Sequence, residues 1–188
     1  MNPQDYDLVI RYLEGQVAAL SRRGPSEELG HRLNELGQAW FERSRPGTAG
    51  DSDRKRAVEH FRKALENFGR SSNPKWWAAV HYNMGNALAD MQEDRAASQE
   101  KAIECYNKTF EVYREQDPEL RFDWATAHYE LGLAFSQRLR GSRRENLSRS
   151  IEHYQTALRV FTLREYPDQY RCTQQNLAST LSDLADVP

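Results

Sequence analysis

The chain has 188 residues, 38% hydrophobic and 29% charged, with a formal net charge of −2. That is the balance of an ordinary soluble globular protein, with no global charge to draw it to nucleic acid or to an anionic membrane surface. No apolar run approaches the ~20 residues needed to span a bilayer, and the start, MNPQDYDLVIRYLEGQ, does not read as an export signal. Cys105 and Cys172 are too few for a disulfide framework, so a reducing cytoplasm is the expected setting. Asn107 and Asn146 each begin a glycosylation tripeptide, which without export is a chance match.

In chain order, residues 3–22 carry an apolar stripe of Tyr6, Val9, Ile10, Leu13, Val17 and Leu20 and predict a first helix, read as an N-terminal cap over 1–24. A repeating unit follows. LNELGQAW, HYNMGNAL, HYELGLAF and QQNLASTL align on Gly37, Gly85, Gly132 and Ala178, spaced 48, 47 and 46 residues apart. A second segment follows each of the first three: AVEHFRKAL, AIECYNKTF and SIEHYQTAL, centred on Phe61, Tyr106 and Tyr154. Each unit closes near a proline, Pro74, Pro118 or Pro167, dividing the chain at 25–73, 74–117, 118–166 and 167–188. A fixed period of this length marks stacked supersecondary units.

The apolar spacing in both segments is helical. Helices are expected at 26–44, 53–69, 74–92, 95–115, 118–139, 142–165 and 167–185, after the first at 3–22. The small residues at Gly37, Gly85, Gly132 and Ala178 would let paired helices approach closely. Ala57, Ala102 and Ser150, and Ala64, Thr109 and Ala157, would do so from the other side. Asn2, Asn73 and Asp117 each precede a proline and are expected to cap a helix; Ser142 with Glu145 forms a capping box. Polar turns are expected from Arg45-Pro46-Gly47 to Asp53, at Glu93-Asp94 and at Arg140-Gly141. The last helix carries Tyr170, Leu177, Leu181 and Leu184 on one face and polar residues elsewhere, the pattern of a C-terminal cap.

These segments resemble the tetratricopeptide repeat family. Its pattern appears as Leu36-Gly37-x2-Trp40, Met84-Gly85-x2-Leu88 and Leu131-Gly132-x2-Phe135, with Ala57-x3-Phe61, Ala102-x3-Tyr106 and Ser150-x3-Tyr154 behind. The period is longer than the family's usual ~34 residues, and Leu33, His81 and His128 stand where the family's first Trp would be. Lengthened repeats of this kind are similar to bacterial arrays beside CHAT peptidase or nucleotide-binding signalling (NTPase) domains. The resemblance implies an all-α, right-handed α-solenoid of antiparallel helix pairs, about eight helices in all, that binds a peptide or protein in the groove lined by the first helices. Carried over position by position, the groove residues are Asn34, Gln38, Phe41, Tyr82, Asn86, Tyr129, Leu133, Ser136 and Gln175. None is cationic, which disfavours a clamp for a carboxylate terminus.

Other candidates weigh less. Arg54 and Arg56 at one turn, and Arg138, Arg140, Arg143 and Arg144 at another, could make a basic rim for an anion or nucleic acid, but no aromatic residues are interleaved for base stacking. Trp77 and Trp124, one period apart, read as core, and Trp76 as exposed. His60, Cys105 and His153 share one repeat position, and His81 and His128 another; both sets read as repeat echoes, not metal ligands. Ser52-x2-Lys55 and Ser98-x2-Lys101 are too short to signal a catalytic serine. The expectation is a non-catalytic interaction module with no cofactor, no metal and a protein or peptide partner. A regulatory or self-associating module is the alternative, an anion or nucleic-acid binder the second.

Overall fold

The computed structural model describes residues 3–44 and 50–187. Within them the regular structure is helical, with no strand: α1 (Pro3–Ser21), α2 (Glu27–Ser44), α3 (Gly50–Leu65), α4 (Pro74–Ala89), α5 (Arg95–Thr109), α6 (Arg121–Ser136), α7 (Arg143–Ala157) and α8 (Pro167–Ala185). The fold is all-α, as the repeat implied. The expected Arg45-Pro46-Gly47 turn and the cap at Asn2 lie outside the described residues.

Three local expectations need correction. Asn73 occupies the N-cap position of α4, but its side chain makes no capping bond; its carbonyl accepts from Trp77 N, and Pro74 supplies the preset first turn. Asp117 does accept from Glu119 N at 2.9 Å, yet residues 118–120 form a turn on its carbonyl and α6 starts only at Arg121. The expected polar stretch up to Asp53 is cut short, because α3 already begins at Gly50. Ser142 caps α7 as expected, its hydroxyl accepting from Glu145 N.

Helices α3, α5 and α7 end earlier than the apolar pattern suggests. Phe68, Tyr113 and Phe161 each lie seven residues beyond Phe61, Tyr106 and Tyr154, and each is buried although past its helix. The periodicity continues past the helices through turns, in which Tyr113 N and Phe161 N still donate to carbonyls four residues back, at Thr109 and Ala157. The chain leaves the helix and tucks its next aromatic residue back into the core.

The chain forms two compact units, Met1–Cys105 and Tyr106–Pro188. In the first, α1 packs on α2, α2 on α3 and α3 on α4, with α2 also touching α4. This is the sequential order of stacked helix pairs. Two glycines of α2 set the approach to the chain that follows. A Cβ on Gly37 would sit 2.6 Å from the Phe61 ring, and one on Gly30 would sit 2.7 Å from the Phe68 ring. Arg43 grips Asp53 through two 2.7 Å bonds, and the guanidinium groups of Arg43 and Arg56 lie 4.2 and 4.4 Å from the Trp40 ring centre.

The second unit repeats the design. Helix α6 packs on α7, α7 on α8, and α6 touches α8. A Cβ on Gly132 would meet the Tyr154 ring at 2.6 Å, and the Ser150 hydroxyl donates to the Gly132 carbonyl at 2.7 Å across the same contact. Ala125 takes the place of Gly30 and clusters with Val160 and Phe161. On α8 the expected stripe is displaced: Leu181 is 48% exposed, while Thr173, Leu177 and Thr180 are buried. The two threonines can face the core because each hydroxyl donates to a carbonyl one turn back, at Gln169 and Asn176.

Candidate partner-binding surface

The proposed groove positions lie on α2 and α4 in the first unit and on α6 and α8 in the second. Their side chains do not all reach solvent. Asn34 is 4% exposed, and its Oδ1 accepts from Asn83 Nδ2 at 3.0 Å, so it ties α2 to α4. Phe41 is also buried. Gln38 is exposed, and Tyr82 and Asn86 are half-buried.

In the second unit Tyr129, Leu133 and Ser136 are half-buried and Gln175 is exposed. The Tyr129 hydroxyl accepts from Asn176 Nδ2 at 3.0 Å, joining α6 to α8. This bond and the Asn34–Asn83 bond fall at one repeat register: three residues before the small residue of one helix, and two before that of the next. Burial, reinforced by Glu130 and Cys172 and opposed by Asn176, raises the Tyr129 phenol above its ordinary pKa, so it stays a neutral hydroxyl. Ser136 donates to the Leu133 carbonyl. The positions that reach solvent, Gln38, Tyr82, Asn86, Tyr129, Leu133, Ser136 and Gln175, offer amide, hydroxyl, aromatic and aliphatic groups.

Five of the six arginines of the expected rim are engaged inside their own units. Arg54 pairs with Asp51 at 3.0 Å, and Arg56 lies over Trp40. Arg138 donates to Asn146 Oδ1, Arg143 pairs with Asp183 at 2.8 Å, and Arg144 donates to the Val187 carbonyl. The Arg140 side chain is exposed, while its carbonyl accepts from Asn146.

The histidine echoes proved more specific than repeat position alone suggested. His128 of α6 and His153 of α7, one from each set, meet with their Nδ1 atoms 2.9 Å apart. Trp124 sits edge-on to His128, Phe110 lies against it, and Phe135 stacks on His153. Burial first, with neighbouring positive charge, depresses His128 to about 3 and His153 to about 4. The pair is neutral, one ring donating and the other accepting. Trp77 repeats the Trp124 contact on His81, and Trp76 is 43% exposed beside His31. Among the described residues, no group of three or more His, Cys, Asp or Glu side chains is placed to hold a metal ion.

One cleft was not foreseen. About 420 Å³ opens in the first unit between the α1–α2 turn and the end of α3, floored by Val17, Leu29 and Leu33 and edged by His60, Lys63 and Asn67. Its residues come from three separate segments, so no single sequence motif marks it. His60 Nδ1 is enclosed there without a hydrogen-bond partner, and burial, with Lys63 next, lowers its pKa.

No described helix is long and apolar enough to cross a membrane. No protein-family model and no curated protein matches the chain.

Proposed function

We propose that the chain is a cytoplasmic, non-catalytic interaction module of tetratricopeptide-like helix pairs that binds a peptide segment of a partner protein on the faces of its first helices. The observation that carries this reading is the chemistry of those faces. In each unit a helix-to-helix hydrogen bond, Asn83 to Asn34 or Asn176 to Tyr129, fixes neighbouring first helices. Beside it lie Gln38, Tyr82 and Asn86 in one unit and Leu133, Ser136 and Gln175 in the other. Amides can both donate to and accept from a peptide backbone, and tyrosine offers flat contact area at low entropic cost. Asn34 and Phe41 belong to the scaffold of this surface, not to its contacts. An anion-binding rim has less support, because five of the six arginines named for it already have acidic, carbonyl, amide or aromatic neighbours.

The test is retention of a partner from source-cell lysate at high salt by the wild type and by a Gln38→Ala, Tyr82→Ala, Asn86→Ala variant with an unchanged circular dichroism spectrum. The expected result is one discrete protein held by the wild type and lost by the variant, with the affinity reproduced by a peptide from that partner. Equal retention by both proteins, or recovery of nucleic acid alone and only at low salt, overturns the reading.

A further inference from the structure

His60 and His153 share one repeat position, and Leu33 and His128 share another. In the second unit these positions meet as a pair of imidazoles, Nδ1 to Nδ1 at 2.9 Å. In the first unit the partner position holds Leu33, whose side chain can neither donate nor accept a hydrogen bond. His60 Nδ1 is enclosed without a hydrogen-bond partner. A polar atom left unpaired in this way is destabilising, and such atoms are rare in folded proteins.

The cleft of about 420 Å³ lies at this place, lined by both Leu33 and His60. Its volume falls in the lower part of the range of small-ligand sites, roughly 300–1,000 Å³. Val17, Pro25 and Leu29 add apolar surface. The rim is pre-formed. Asn67 Oδ1 accepts from Ser26 N and Asn67 Nδ2 donates to the Lys63 carbonyl, both at 2.9 Å, so the α1–α2 turn is fixed to the end of α3. Gly24 turns the chain there at φ +93°, a conformation that favours glycine.

The charges around the cleft are balanced. Among the described lining residues Lys63 is the one lysine or arginine, and it pairs with Glu59 at 2.6 Å. Glu66 also lines the cleft, so an anion meets no unpaired cation. Burial, with Lys63 next, lowers the His60 pKa and keeps the ring neutral. A neutral imidazole has one donor and one acceptor nitrogen. The torsion that turns the ring is soft, and turning it breaks no bond at Nδ1.

We infer that this cleft binds a small uncharged aromatic molecule with one N–H or hydroxyl group, which lies against Leu33 and hydrogen-bonds the His60 imidazole. The ligand supplies in the first unit what the His128 ring supplies in the second, a flat body with one polar atom for the histidine of the next helix. Its binding does not depend on a peptide held at Gln38, Tyr82 and Asn86.

Titration of the purified full chain with indole, followed by the histidine-ring and methyl signals in NMR spectra, tests this. Indole should bind saturably and shift His60 together with the Val17 and Leu33 methyl groups. 1-Methylindole keeps the ring but lacks the N–H, and should bind roughly tenfold more weakly, the worth of one hydrogen bond. His60→Phe should weaken indole binding and remove the difference between the two probes, with an unchanged circular dichroism spectrum. No saturable shift in the wild type, equal affinity of the wild type for both probes, or a His60→Phe protein that still separates them overturns the inference.

Discussion

Nδ1 of His128 stands 2.9 Å from Nδ1 of His153, so the two rings must carry complementary tautomers and cannot both be charged without turning donor against donor. Their folded values, about 3 and about 4, lie below the ordinary 6.5. As pH falls below 6.5 the unfolded chain takes up protons that the folded pair refuses. Stability is therefore fully present above 6.5 and is lost progressively down toward about 4. One pH unit below the ordinary imidazole value, each histidine held neutral forfeits about 1.4 kcal/mol. Urea midpoints measured across this window should fall steeply for wild type, and a His128→Phe, His153→Phe variant should lose most of that slope.

Gly37, Gly132 and Gly15 all sit in helices, but only the first two face a ring. Gly37→Ala and Gly132→Ala drive a methyl to 2.6 Å from Phe61 and Tyr154, whose rings are buried and cannot swing away. Overpacking of this kind costs about 1–3 kcal/mol, more than the gain in helix propensity. Gly15→Ala meets open space and should stabilise the protein by up to about 1 kcal/mol. Chemical denaturation of the three variants checks both signs in one series.

Asp51 reaches from the start of α3 to accept the backbone N–H groups of Gln92 and Glu93 while pairing with Arg54. Burial pushes its carboxyl up, but these donors together hold it below the usual 3.8. Its contribution is therefore present above pH 3.8 and is lost as pH falls through the lowered value. Asp51→Ala should cost about 1–2 kcal/mol and release the Gln92 and Glu93 amides to rapid hydrogen exchange.

Asp53 is 2% exposed beneath the Arg43 fork, unlike the solvated Lys63–Glu59 pair. Asp53→Ala leaves the guanidinium without its main partner and should destabilise by about 3 kcal/mol or more. Glu59→Ala should cost less than about 1 kcal/mol. Arg43→Lys keeps the charge but not the fork, and should fall between them in thermal unfolding.

The period, the helix class and most boundaries were legible in the sequence because they depend on local chemistry. Pro74 and Pro167 preset helix starts, and Gly37 and Gly132 recur because an aromatic ring from the next helix needs the space. The second small position, Gly30 and Ala125 beneath Phe68 and Phe161, recurs with the same regularity, but its aromatic partners lie past the helix ends, where a 3.6-residue pattern is no longer a helix signal. Burial of polar groups was not legible. Asn34 looks like a groove amide until Asn83 is placed beside it; the rim arginines look like free charge until Asp51, Asp183 and Asn146 come within reach; and His128 and His153 look like two independent echoes. Spacing along a helix determines which face a side chain occupies. What that side chain meets depends on which helices pack against that face, and only the tertiary structure decides it.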